Sequence, residues 1–164
     1  MSIIVVARFV KLLHELGSIG TLGSVAVCLL LLAPRAARAT AAFAASCDSV
    51  WMIVHWVLVP SFVAVILSGL LALVATPPYM DRGWAWLKAL LSLSLFEASL
   101  MLSSTSREAA TLSHQAAAGN DVLPQLAQTL RTEVGVLWVL FGVSVVNVVL
   151  GIWRPRLMRS KSIS

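Results

Sequence analysis

Residues 8–35 read RFVKLLHELGSIGTLGSVAVCLLLLAPR. The apolar stretch at 9–33 is long enough to cross a bilayer, since a spanning helix needs about 20 mainly apolar residues. It is also longer than the core of a cleaved signal, about 7–15 residues. Ala37, Arg38 and Ala39 have the small-x-small form of a cleavage site, but the length favours a retained span. His14 and Glu15 sit side by side near its beginning, and Gly17, Gly20 and Gly23 recur at every third residue.

Three more blocks of this kind follow, at 50–75, 84–104 and 134–153. Of the 164 residues 59% are hydrophobic and 12% charged. Globular chains run at about half and a quarter respectively. The sequence therefore predicts one all-α domain over 1–164, a polytopic membrane protein with four spans. Short connections make an up-and-down four-helix transmembrane bundle the default topology, with the lipid bilayer as its surroundings.

The net charge of +5 does not point to nucleic acid, because no basic run interleaved with aromatics accompanies it. The basic residues stand at span ends, where they set orientation. Four spans put both termini on one side, with Arg8, Lys11, Arg82, Arg154, Arg156, Arg159 and Lys161. The other side has Arg35, Arg38, Arg107 and Arg131. The bias predicts cytoplasmic termini in a multi-pass protein of the cell's inner (plasma) membrane. Cys28 and Cys47 have no CxxC or zinc spacing around them and read as small packing residues.

Proline 34 should stop the first helix. The second can begin at once and run through 75, about 40 residues and 60 Å, twice the hydrocarbon thickness. Pro77 and Pro78 mark a tight loop. The third helix should start near Trp84 and continue past the membrane through STSREAATLSHQAAA, stopping at Gly119-Asn120. Asp121 is a candidate N-cap for a short helix, VLPQLAQTLRTE, leading into the fourth span. Helices 2 and 3 thus extend on the non-cytoplasmic side, and 35–48 with 105–132 should form a small cap there.

Ionisable residues within spans are functional candidates because hydrocarbon makes them costly. Counted from the termini side, His14 lies about 8 Å deep, Lys88 about 6 Å and Asn147 about 9 Å. Three side chains from three helices thus share one layer. Glu15 adjoins His14 but points about 100° away from it. His55 enters from the far side, about 15–20 Å from that layer, and with Trp51 and Trp56 it reads as part of an interfacial aromatic belt. Glu97 is the deepest charge, and His114 falls in the cap. The glycines predict either close helix packing or room for a flat ligand against the backbone. Nucleophile elbow, phosphate loop, HExxH and CxxCH patterns are all missing from the sequence.

FVKLLHELG resembles the first-span start of the four-helix families around HemJ-type protoporphyrinogen oxidase and the CopD copper-resistance domain. SGLLALV resembles the end of their second span, WAWLKALL their third-span start, and RTEVGVLWVLFGVSVVNVVLGIWRPR their last span. The chain resembles still more closely a family of predicted four-span integral membrane proteins without an assigned role. The HemJ-type resemblance implies b-type haem held by the first-span histidine and the third-span lysine. The matching positions are His14 and Lys88, with Asn147 in the same layer, and the implied activity is that of a haem-dependent oxidoreductase in redox or porphyrin chemistry. The aromatic residues that usually follow that histidine are replaced by ELGSIGTLGSVAV. Met52, Met80, Met101 and Met158 form no soft-ligand cluster for copper. The alternatives are a non-catalytic membrane subunit or accessory protein of a larger complex, or a small transporter with Glu97 as its proton-carrying group; the partners expected besides lipid are a second copy in a homo-oligomer or another membrane subunit.

Overall fold

The computed structural model describes residues 3–33, 38–75 and 83–153, with side chains except at 3, 4, 73, 75, 83–85, 88 and 150–153. The described residues are helical with short connections. Helix α1 is Ile3–Leu31, α2 Ala41–Ile53, α3 Val59–Ala75, α4 Gly83–Ala117 and α5 Leu123–Trp153. Between α2 and α3 the chain makes one wide π turn, Val54–Leu58, without leaving the helical path. Four of the resulting helices are long and apolar enough to cross a membrane.

Local chemistry explains the boundaries. The second helix begins later than its composition suggests. Thr40 takes an extended conformation and its hydroxyl accepts from the Phe43 N–H at 3.3 Å, so the N-cap falls there rather than beside Pro34. The π turn stands just before Pro60. Proline offers no N–H to the carbonyl four residues back and its ring crowds that carbonyl. The Val59 N–H therefore bonds to Val54 O, one residue farther than usual. Gly119 takes a φ of +91°, the left-handed conformation that closes a helix C-terminus. The short helix expected after it is the opening of α5, whose first turn is closed by the Leu126 N–H on Val122 O.

The helices form a ring in which α1 touches α2–α3 and α5, and α4 touches α2–α3 and α5. α1 and α4 lie on a diagonal. Large exposed apolar side chains run from Trp86 to Met101 on α4, and from Trp138 to Val149 on α5. On the second helix they begin at Met52. Beyond those limits Leu123 is the one large apolar side chain exposed among the described residues of α2, α4 and α5, and the exposed surface includes Arg107, Glu108, Thr111, His114, Gln128 and Arg131. The extensions of α2, α4 and α5 thus make a polar-surfaced cap, pinned outside by His114 Nε2 on Asp48 Oδ2 at 2.8 Å. Its interior holds Phe43, Ala44, Cys47, Ala109, Leu112, Leu126 and Leu130, all buried.

The α4–α5 contact follows a strict seven-residue repeat. On α4, Ser99, Ser106 and Ser113 are buried and Ser92 half-buried, one serine per heptad, with Leu95, Leu102, Ala109 and Ala116 as the second core row. On α5 the facing rows are Leu126, Glu133, Leu140 and Asn147, and Leu130, Leu137 and Ser144. Two apolar-or-small rows per heptad make the seam of an antiparallel coiled coil.

Candidate functional site

That seam carries polar contacts at two levels. Asn147 Nδ2 donates to Ser92 Oγ at 3.3 Å. Two heptads nearer the cap on both helices, Ser106 Oγ donates to Glu133 Oε1 at 2.6 Å. The serines between and beyond bond to their own helix, Ser99 Oγ to Phe96 O and Ser113 Oγ to Ala110 O, both at 2.7 Å. The levels lie about 21 Å apart at 1.5 Å per residue.

The upper level is the more deeply buried. Glu133 is 1% exposed and lies within electrostatic range of the buried thiols of Cys28 on α1 and Cys47 on α2. A carboxyl taken out of water needs hydrogen-bond partners to offset its lost hydration. Ser106, itself 1% exposed, is such a partner. Sequence reading passed over Glu133, because it stands at the polar edge of a span. The signal that could have found it is the serine heptad on α4, matched by the fourteen-residue spacing of Glu133 and Asn147 on α5.

The lower level holds His14. From Cys28 back to His14 is two heptads along α1, as is the step from Glu133 to Asn147 along α5. Both steps lead away from the level at which Cys28 feels the charge of Glu133. The His14 ring is half-buried against α3: Nδ1 lies 3.0 Å from Ser68 Oγ and 3.2 Å from Val65 O. Gly69 lies beside it, where a Cβ would only make ordinary van der Waals contact with His14 Cε1 at 3.8 Å. Lys88 lies on α4, and its side chain falls outside the described residues. Around this level the core keeps polar atoms without partners among the described residues: Asn147 Oδ1, Ser144 Oγ and Thr21 Oγ1.

The glycines divide. A Cβ on Gly17 would come within 2.9 Å of Ser61 O and of Val65 Cγ2, and one on Gly20 would overlap Ser61 Oγ, whereas Gly23 faces open space. Gly17 and Gly20 therefore serve close packing of α1 on α3, and α3 occupies the place a flat ligand would need there. The other sequence candidates are scattered. Glu15 is exposed and pairs with Lys11 one turn back at 3.7 Å. His55 is exposed on the π turn, stacked on Trp51 with centroids 5.9 Å apart and edge-on to Trp56 at 5.0 Å. Glu97 faces outward from α4, and His114 is exposed but tied to Asp48. Among the described residues no three His, Cys, Asp or Glu side chains converge as a metal centre would require.

A family model described as predicted integral membrane protein (DUF2269) matches residues 8–155, nearly all of the bundle. The chain belongs to this family. No curated protein and no solved structure matches it. The match covers all four spans of this DUF2269 member and both polar levels of its α4–α5 seam.

Proposed function

We propose that this integral membrane protein holds a b-type haem between its helices at the level of His14 and works in redox or porphyrin-related chemistry, with both termini in the cytoplasm. The observation that carries the reading is how His14 is held. A backbone carbonyl can only accept, so the contact with Val65 O favours a proton on Nδ1 and a lone pair on Nε2. Histidines that bind metals are normally fixed in this way through their second nitrogen.

His14 would hold the iron side of the group. Ser68 and Val65 would fix the ring's tautomer and orientation, and Asn147 Oδ1, still in need of a donor, offers a polar contact from α5. The HemJ-type resemblance makes Lys88 the second ligand, from the helix diagonal to α1. Bound haem supplies one-electron transfer, tuned by its axial ligands and their surroundings.

The test is an absorption spectrum of protein purified from cells with ample haem supply. A Soret band is expected, lost in His14→Ala and Lys88→Ala, shifted in Ser68→Ala, and unchanged in His55→Ala and His114→Ala. A colourless wild-type protein would overturn the haem assignment. Loss of the band in His55→Ala alone would move the site to the cap side.

A further inference from the structure

Glu97 is a charge that the bundle's described contacts leave unused. It lies two residues from both Leu95 and Ser99, which are buried on α4's core face, so at 100° per residue it points directly away from that face. It is exposed between Leu93 and Leu100, inside the apolar belt of α4. It has no hydrogen bond or ion pair among the described residues. A carboxylate exposed to hydrocarbon is costly. Acyl chains offer it no partner, so a second protein surface is the way to satisfy it.

We propose that α4 packs in parallel against α4 of a second copy of this chain, with Glu97 at the shared seam. The exposed face is built for self-pairing. Its central row, Leu90, Glu97, Ser104 and Thr111, repeats every seven residues, as a helix–helix seam requires. A two-fold axis along the membrane normal sets equal depths opposite each other. Glu97 then meets Glu97 and Ser94 of the second copy, and hydroxyls and carboxyls of this kind bond across membrane helices.

The cap end supplies complementary charge. Arg107 and Glu108 are exposed neighbours without an ion pair among the described residues. Across a parallel seam, Arg107 of each copy faces Glu108 of the other, twice by symmetry. Between α2 and α4, at the same height, runs a groove of about 600 Å³ lined by Trp51, His55, Val59, Leu100, Arg107 and Thr111. It has room for the side chains that a neighbouring α4 would bring. This pairing uses the outer face of α4 and is independent of the haem reading, which concerns the interior.

Oxidative cross-linking in native membranes tests it. The natural cysteines are buried, so unmodified protein is the blank. A residue near a two-fold axis cross-links to itself. Leu90→Cys and Ser104→Cys should therefore give homodimers, whereas Leu67→Cys, exposed on α3, should not. In mild detergent Glu97→Lys and Arg107→Glu should each lower the dimer fraction at least tenfold. Glu97→Gln should retain the dimer, and the double variant R107E/E108R should restore it. Cross-links at Leu67→Cys alone, a chain monomeric in both settings, adducts only with a different protein, or failure of the charge-swapped double variant would each overturn the proposal.

Discussion

The α1–α3 and α4–α5 contacts bring helices together by opposite means. α1 approaches α3 through missing atoms: Gly17 and Gly20 sit where any Cβ would strike Ser61 or Val65. α4 approaches α5 through a repeated small side chain, one serine per heptad, each with its hydroxyl satisfied. The first contact depends on two positions, and at Gly17 a larger residue would meet backbone. The second spreads over many turns, and its sensitive points are the two places where a serine meets a polar group on α5.

That contrast predicts a graded set of losses, measured as shifts in thermal unfolding in detergent. The largest belongs to Glu133→Ala. It removes a fully buried side chain and leaves the Ser106 hydroxyl without its acceptor, a loss of about 2–4 kcal/mol. Glu133→Gln keeps an acceptor in place and should stay within about 1 kcal/mol of wild type. Equal losses in both would show that the charge, not the hydrogen bond, matters at that level.

Gly17→Ala comes next, at about 1–3 kcal/mol, because its Cβ would press on a backbone carbonyl that cannot turn away. Gly20→Ala meets the hydroxyl end of Ser61, which can rotate, and should cost less. Gly23→Ala meets nothing within 4 Å and should be neutral. If all three behaved alike, the close approach of α1 to α3 would be disproved.

Ser99→Ala should fall within about 0.5 kcal/mol, since the lost bond was to its own helix and alanine is no larger. A loss as large as that of Glu133→Ala would mean that every serine of the repeat bonds across the seam. The smallest effect belongs to His114→Ala. The pair with Asp48 is exposed, and such pairs contribute about 0–1 kcal/mol, screened by salt. Faster proteolysis of the cap in high salt, in the wild type but not in this variant, would measure its share.

Much of the fold was legible in the sequence. The apolar blocks are longer than any soluble core requires, and the scarcity of breakers, with Pro60 the one proline between 41 and 75 and no proline between 83 and 117, announced helices that outrun a bilayer. Pro60 within the second block left a local trace as the π turn. That His14 stands on the first long helix and Asn147 on the last was plain from counting residues. The direction of Glu97 was not: its position on α4 is plain in the sequence, but that it faces away from the core is not. Glu133 shows the reverse difficulty, a residue that reads as span-edge polarity and proves to be among the most buried in the molecule.

The sequence by itself determined much of what each segment does along its own axis: how many long apolar helices form, roughly how far each runs, and where along it each polar residue stands. Those properties follow from rise per residue, local breakers and apolar length, and they need no neighbour. Only the tertiary structure decided azimuth: that Glu133 turns inward to Ser106 while Glu97 turns outward, that His14 rests on Ser68, and that Gly17 and Gly20, but not Gly23, receive α3. In a soluble helix the polar face betrays the direction of the core. In a bilayer both faces are apolar, so the core is marked by small residues and fitted contacts, which exist only once the partner helix is in place.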